Sequence, residues 1–94
     1  MAVTSVQAPS SITFPAGMNS VDGTLTLSSG DATSISILGV FTITIKSKTT
    51  TMPQVVTFTV TLNQGTTRPG SQSQVIKVGV GAQVVSSAPI AFTY

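Results

Sequence analysis

Acid–base and nucleophilic chemistry near neutral pH draws mainly on histidine, tuned carboxylates and activated cysteine. This chain has no histidine, no cysteine and no glutamate. Its two carboxylates, Asp22 and Asp31, lie nine residues apart. Each stands beside a glycine, where aspartate commonly caps a turn through its own backbone, so both are read as turn residues. A serine nucleophile would need a neighbouring base. Lysine is the only candidate, and Ser47-Lys48 sits in a polar stretch that reads as a solvated loop. Zinc lacks its cysteine and histidine ligands. Calcium could draw on Asp22 and Asp31 with backbone carbonyls, but no loop of acidic ligands exists. Gly79-Val80-Gly81 lacks the third glycine and following helix of a phosphate loop. The expectation is a protein that is not an enzyme, with no cofactor, no metal and no small-molecule substrate.

Binding chemistry is narrowed in the same way. The net charge of +2 comes from Lys46, Lys48, Arg68 and Lys77 set against two aspartates. A high pI built on so few groups gives a weak field, whereas nucleic-acid binders present a patch that neutralises several phosphates. The five aromatics are Phe14, Phe41, Phe58, Phe92 and Tyr94, with no tryptophan. That leaves little for an exposed stacking platform. No apolar run is long enough to span a bilayer. Residues 1–7 show no basic-then-apolar leader, so synthesis in a host cytoplasm is expected. Neither nucleic acid nor membrane is expected as a partner.

Serine and threonine supply 29 of the 94 residues, and only 6% are charged. Ordinary domains are about one-quarter charged. Solubility must rest on hydroxyls, and a charge-poor surface repels other copies weakly. A domain of this length buries only about two-thirds of its unfolded surface, and it has no disulfide to compensate. Association with copies of itself, as a trimer rather than a dimer, is the expectation.

The elements that must carry these residues follow a period of two. Ile12-Thr13-Phe14 alternates and stops at Pro15. Val21, Leu25 and Leu27 share a parity, in a strand entered through a turn at Asp22-Gly23. In 34–46, Ile35, Ile37, Phe41, Ile43 and Ile45 line one face. Gly39 there marks either a bend in one strand or the junction of two. Val56, Phe58, Val60 and Leu62 alternate with Thr57, Thr59 and Thr61, a pattern suited to a half-buried sheet. Ile76, Val78, Val80, Ala82 and Val84 form another face, with Gly79 and Gly81 opposite. Ile90, Phe92 and Tyr94 close the chain. Six to seven strands with turn signals between them predict an all-β fold, a single antiparallel β-sandwich or small β-barrel of immunoglobulin-like or jelly-roll-like type. Residues 1–11 read as a flexible N-terminal arm and 12–94 as the single β-domain.

Candidate partner-binding residues follow from this division. Val3 and Val6 are apolar with no sheet assigned to join, and Pro9 keeps the arm extended. Gly79 and Gly81 bare one sheet face to an approaching backbone. Tyr94 is read either as an anchor or as a lid on the core.

The cysteine-free Thr/Ser/Val composition, the lead from Met1 to Ser11 and strands such as Gly23-Thr24-Leu25-Thr26-Leu27 resemble the small β-rich accessory proteins of tailed-phage virions. The resemblance spans the whole chain and is compositional, so it transfers no functional residue. It implies a structural protein of the virion that decorates or cements a bacteriophage capsid. Such proteins bind the major capsid protein between shell subunits through N-terminal arms and sheet edges, as trimers or dimers. A phage tail or fibre component and a bacterial immunoglobulin-like adhesive module are the alternatives.

Overall fold

The structure, a computed structural model, describes residues 4–94, and among these there is no helix. Ten strands run in order: β1 (Val6–Gln7), β2 (Ser11–Thr13), β3 (Ser20–Leu27), β4 (Ala32–Ile37), β5 (Phe41–Lys48), β6 (Gln54–Leu62), β7 (Ser71–Gln74), β8 (Ile76–Val80), β9 (Gln83–Ser86) and β10 (Ile90–Thr93). β6 shows why this sequence is extended. Val56, Phe58, Val60 and Leu62 point inward and are buried, while Val55, Thr57, Thr59 and Thr61 point out. Side chains branched at Cβ suit the outer face of such a pleat.

The strands form three sheets, ordered β1-β3-β6-β5, β2-β10-β7 and β4-β8-β9. All pairings are antiparallel except β2 with β10, which is parallel. No sheet closes on itself, which excludes the barrel. Ten strands replace the six or seven expected, because the lead contributes β1, residues 71–74 form β7, and a run that looks continuous at 76–84 is broken in space. The run 34–46 is two strands in different sheets, divided at Gly39 with φ of 87°. The Gln72 side chain fills the place a Cβ at Gly39 would take. The run 76–84 is also two strands. Gly81, at φ of 61°, and Ala82 make a two-residue turn between the partners Val80 and Gln83. A glycine with positive φ at the first central position is what a hairpin turn matched to strand twist requires. The expected face therefore ends at Val80: Ala82 is exposed, Val84 is 65% exposed, and Val85 is the half-buried residue of β9.

Two further expectations change. Asp22-Gly23 is no turn but the middle of β3, and Gly23 lies directly opposite Phe58. A Cβ there would stand 2.7 Å from the Phe58 ring, so the missing side chain is what admits the phenylalanine. The lead is also joined to the domain wherever it is described. Val6 pairs with Leu27 and Gln7 with Thr26, Ser5 N–H donates to Ser28 Oγ at 2.8 Å, and Thr4 Oγ1 meets Ser29 Oγ at 3.0 Å. Val6 and Ala8 pack against the core. Pro9 sits half-buried where the chain passes from the first sheet to the second, a position that needs no ladder N–H. Val3 lies outside the described residues.

The core joins all three sheets. Leu25, Leu27, Val56, Phe58 and Val60 from the first meet Ile12, Ile90 and Phe92 from the second and Ala32, Ile76 and Val78 from the third. Each large side chain taken fully out of water contributes about 1.5–3 kcal/mol. At one end, Phe41 packs on Phe92 with ring centroids 4.6 Å apart and stacks on Phe14 at 6.2 Å. Tyr94 meets Phe14 and Phe41 edge-on at 6.5 and 5.8 Å. Its backbone exchanges two hydrogen bonds with Gly70, at 2.6 and 2.9 Å. The molecule is elongated, 44 × 20 × 20 Å.

Candidate partner-binding face

The outer side of the β1-β3-β6-β5 sheet is a lattice of hydroxyls. Register sets Ser20, Thr61 and Thr42 in one row, Asp22, Thr59 and Thr44 in the next, and Thr24, Thr57 and Ser47 in a third. The rows exist because three neighbouring strands each place alternate polar residues outward, and antiparallel pairing brings them side by side. One ion pair crosses this face. Lys46 Nζ reaches Asp22 Oδ2 at 2.7 Å, and Thr59 Oγ1 donates to Asp22 Oδ1 at 2.8 Å. Lys46 is the extra residue of a bulge between Ile45 and Ser47. Bulges of this kind blunt an outer strand, and β5 is the outer strand here. The Lys46 hydrogen bond, then that of Thr59, holds the Asp22 carboxyl below its usual range.

A second polar cluster closes one end of the sheet. Gln54, 2% exposed at a position of core parity, accepts from the Ala32 N–H at 2.9 Å through Oε1. Its Nε2 donates to Asp31 Oδ1 at 2.7 Å and to Thr49 O at 3.0 Å. Lys48 Nζ donates to Asp31 Oδ1 at 3.1 Å and to Ala32 O at 2.8 Å. Gln54 first, then Lys48, lowers the Asp31 pKa. Beside this cluster, Asp31, Lys48, Thr49, Thr50, Met52 and Gln54 line an open depression of about 370 Å³. An ionised carboxylate held below its usual range cannot serve as a proton donor near neutrality. The arrangement is a latch that ties the turn before β4 to the loop before β6.

The two aspartates are not brought together. Asp22 lies opposite Thr59 within strand β6, and Asp31 is bonded to Gln54 at the start of the same strand. Among the described residues, no group of three His, Cys, Asp or Glu side chains could hold a metal.

The residues singled out in the sequence are spread over the molecule. Val6 is in β1, Pro9 follows it, Gly79 is in β8, Gly81 is in the β8–β9 turn and Tyr94 follows β10. The face at Gly79 is not bare. Ser34, its partner across the ladder, occupies the space a Cβ would take, and Thr33 Oγ1 donates to Gly79 O at 3.2 Å. The close approach that glycine permits is made within the chain. Gly81, unlike Gly79, faces open space, as do Gly17 and Gly65. Gln54 went unnoticed in the sequence, although glutamine at the parity of Val56 and Phe58 was the available signal.

No family model, curated protein or solved structure matches this chain.

Proposed function

We propose that this chain is a non-enzymatic structural protein that decorates or cements a phage capsid. In this reading it binds the major capsid protein between shell subunits as a homo-oligomer. The observation that carries the reading is the hydroxyl lattice on the outer face of β3, β6 and β5, crossed by a single ion pair. Such a face can meet a protein surface without stranding charges, the most costly groups to bury unpaired. The scarcity of charge over the whole chain adds support, since it leaves little to keep copies apart.

The finer fold reading belongs with this proposal. β7 and β8 are separated only by Val75, and the Ser87 N–H bond to Ile76 O carries the pairing on from β9 toward β10. Joined in this way, the second layer reads β2, β10 with β9, β7 with β8, then β4, facing β1-β3-β6-β5. We read this as an immunoglobulin-type sandwich, with the first strand shared between both layers. The strand order favours one second reading, an immunoglobulin-like adhesive or tail-fibre module.

The test is charge placed on the lattice. Thr44 and Thr61 are exposed, outward-facing and remote from the core. A Thr44→Lys/Thr61→Lys double variant should keep its β circular-dichroism spectrum and lose incorporation into particles. Decoration at full occupancy by that variant would overturn the proposed docking face.

A further inference from the structure

We propose that the parallel pairing of β2 with β10 is a shear clamp, which fits the domain to carry tension between its N-terminal and C-terminal sides. The inference rests on strand geometry and is independent of any shell. In a parallel pair, the N-terminal side of one strand and the C-terminal side of the other lie at opposite ends of the ladder. β2 is the second strand and β10 the last, paired Ser11 with Ala91, Ile12 with Phe92 and Thr13 with Thr93. Tension that enters before β2 and leaves after β10 therefore slides the two strands past each other. All their cross-bonds are loaded together.

The ladder continues at both ends, through Ala91 N–H to Ser10 O and Phe14 N–H to Thr93 O, each 2.9 Å. An individual hydrogen bond contributes only about 0.5–1.5 kcal/mol net, so resistance depends on loading several at once. Side chains seat the same ladder. Ile12 and Phe92 are register partners, 7% and 0% exposed, and Phe14 stacks on Phe41 just beyond them. β1 adds a shorter element of the same kind. It lies along β3 through Val6 and Gln7, so a pull on the N-terminal side shears that pairing before it reaches β2. At the other end, the two bonds between Tyr94 and Gly70 hold β10 against the start of β7.

The direction of pulling tests the clamp. The full chain would be held by handles fused at its two ends, and unfolded by single-molecule force spectroscopy. The comparison variant carries Gln64→Cys, a unique thiol in a cysteine-free chain, and is pulled between that residue and the C-terminal handle. Gln64 and Tyr94 lie at the same end of the molecule, since Phe41 is paired with Leu62 and its ring touches Tyr94. Loading there peels the strands apart from one end. The expected result is a peak force several-fold higher for end-to-end pulling. Ala91→Pro removes the donor to Ser10 O at an exposed position, and should lower the end-to-end force proportionally more than the peeling force. Equal peak forces in the two directions would overturn the clamp. So would a folded Ala91→Pro variant with undiminished end-to-end force. If that variant fails to fold by circular dichroism, the comparison of directions decides alone.

Discussion

Phe58 and Gly23 show how single residues set this fold. The ring is fully buried, and it lies over a partner strand that offers no Cβ. Phe58→Ala should cost ~3–5 kcal/mol in denaturant unfolding, from lost transfer energy and the cavity left behind. A loss under about 1 kcal/mol would show that the site collapses to fill the space, or that the ring is not core. Gln54 is the polar counterpart. It is buried, and its side chain satisfies the Ala32 N–H and the Thr49 carbonyl and holds Asp31. Gln54→Leu keeps the bulk and orphans those groups, so it should destabilise by about 1–3 kcal/mol in the same assay. Phe58 was legible in the sequence because its parity and size agree. Gln54 was not, because two of its three partners, Ala32 and Asp31, lie 22 and 23 residues away.

Elements are tied together by ion pairs whose strength depends on pH. Asp22–Lys46 links β3 to β5, and Asp31–Lys48 links the start of β4 to the end of β5. Both carboxyls titrate below their ordinary value of 3.8 in the folded protein, Asp22 chiefly through Lys46 and Asp31 chiefly through Gln54. A carboxylate whose pKa is depressed by folding adds stability that is present above the unfolded value. That stability is lost as pH falls through the lower folded value. Melting temperature should therefore decline on acidification below 3.8, and an Asp22→Asn/Asp31→Asn variant should show a flatter decline. Added salt should weaken the effect, since both carboxylates are exposed. The same elements show where local reading fails. The alternation through 76–84 continues across Gly81, and a period of two does not record that the chain has turned; at Gly39 the sequence leaves a bend or a junction open, and the backbone makes it a junction. What divides each run is a backbone angle that glycine tolerates and the pattern does not encode.

The whole molecule is a charge-poor rod, and its association is the property most open to measurement. Light scattering at tens of micromolar should report a homo-oligomer, with a trimer favoured. A stable monomer would count against the capsid reading while leaving the shear clamp intact. The expected mode of association shifts with the structure, because Gly79 is covered by Ser34 and the lattice of β3, β6 and β5 offers the broader neutral face. The sequence by itself determined the all-β class, the inward parity of Ile12, Leu25, Val56, Phe58, Val78 and Phe92, and the poverty of chemistry. These follow from the alternation of one strand against solvent and from which side chains are present at all, which are local or compositional properties. Only the tertiary structure decided the pairing of Ile12 with Phe92, the capture of Val6 by Leu27 and the latch at Gln54. Each joins residues far apart in the chain, and which distant strands meet depends on how every inward face is buried at once. No window of sequence contains that information.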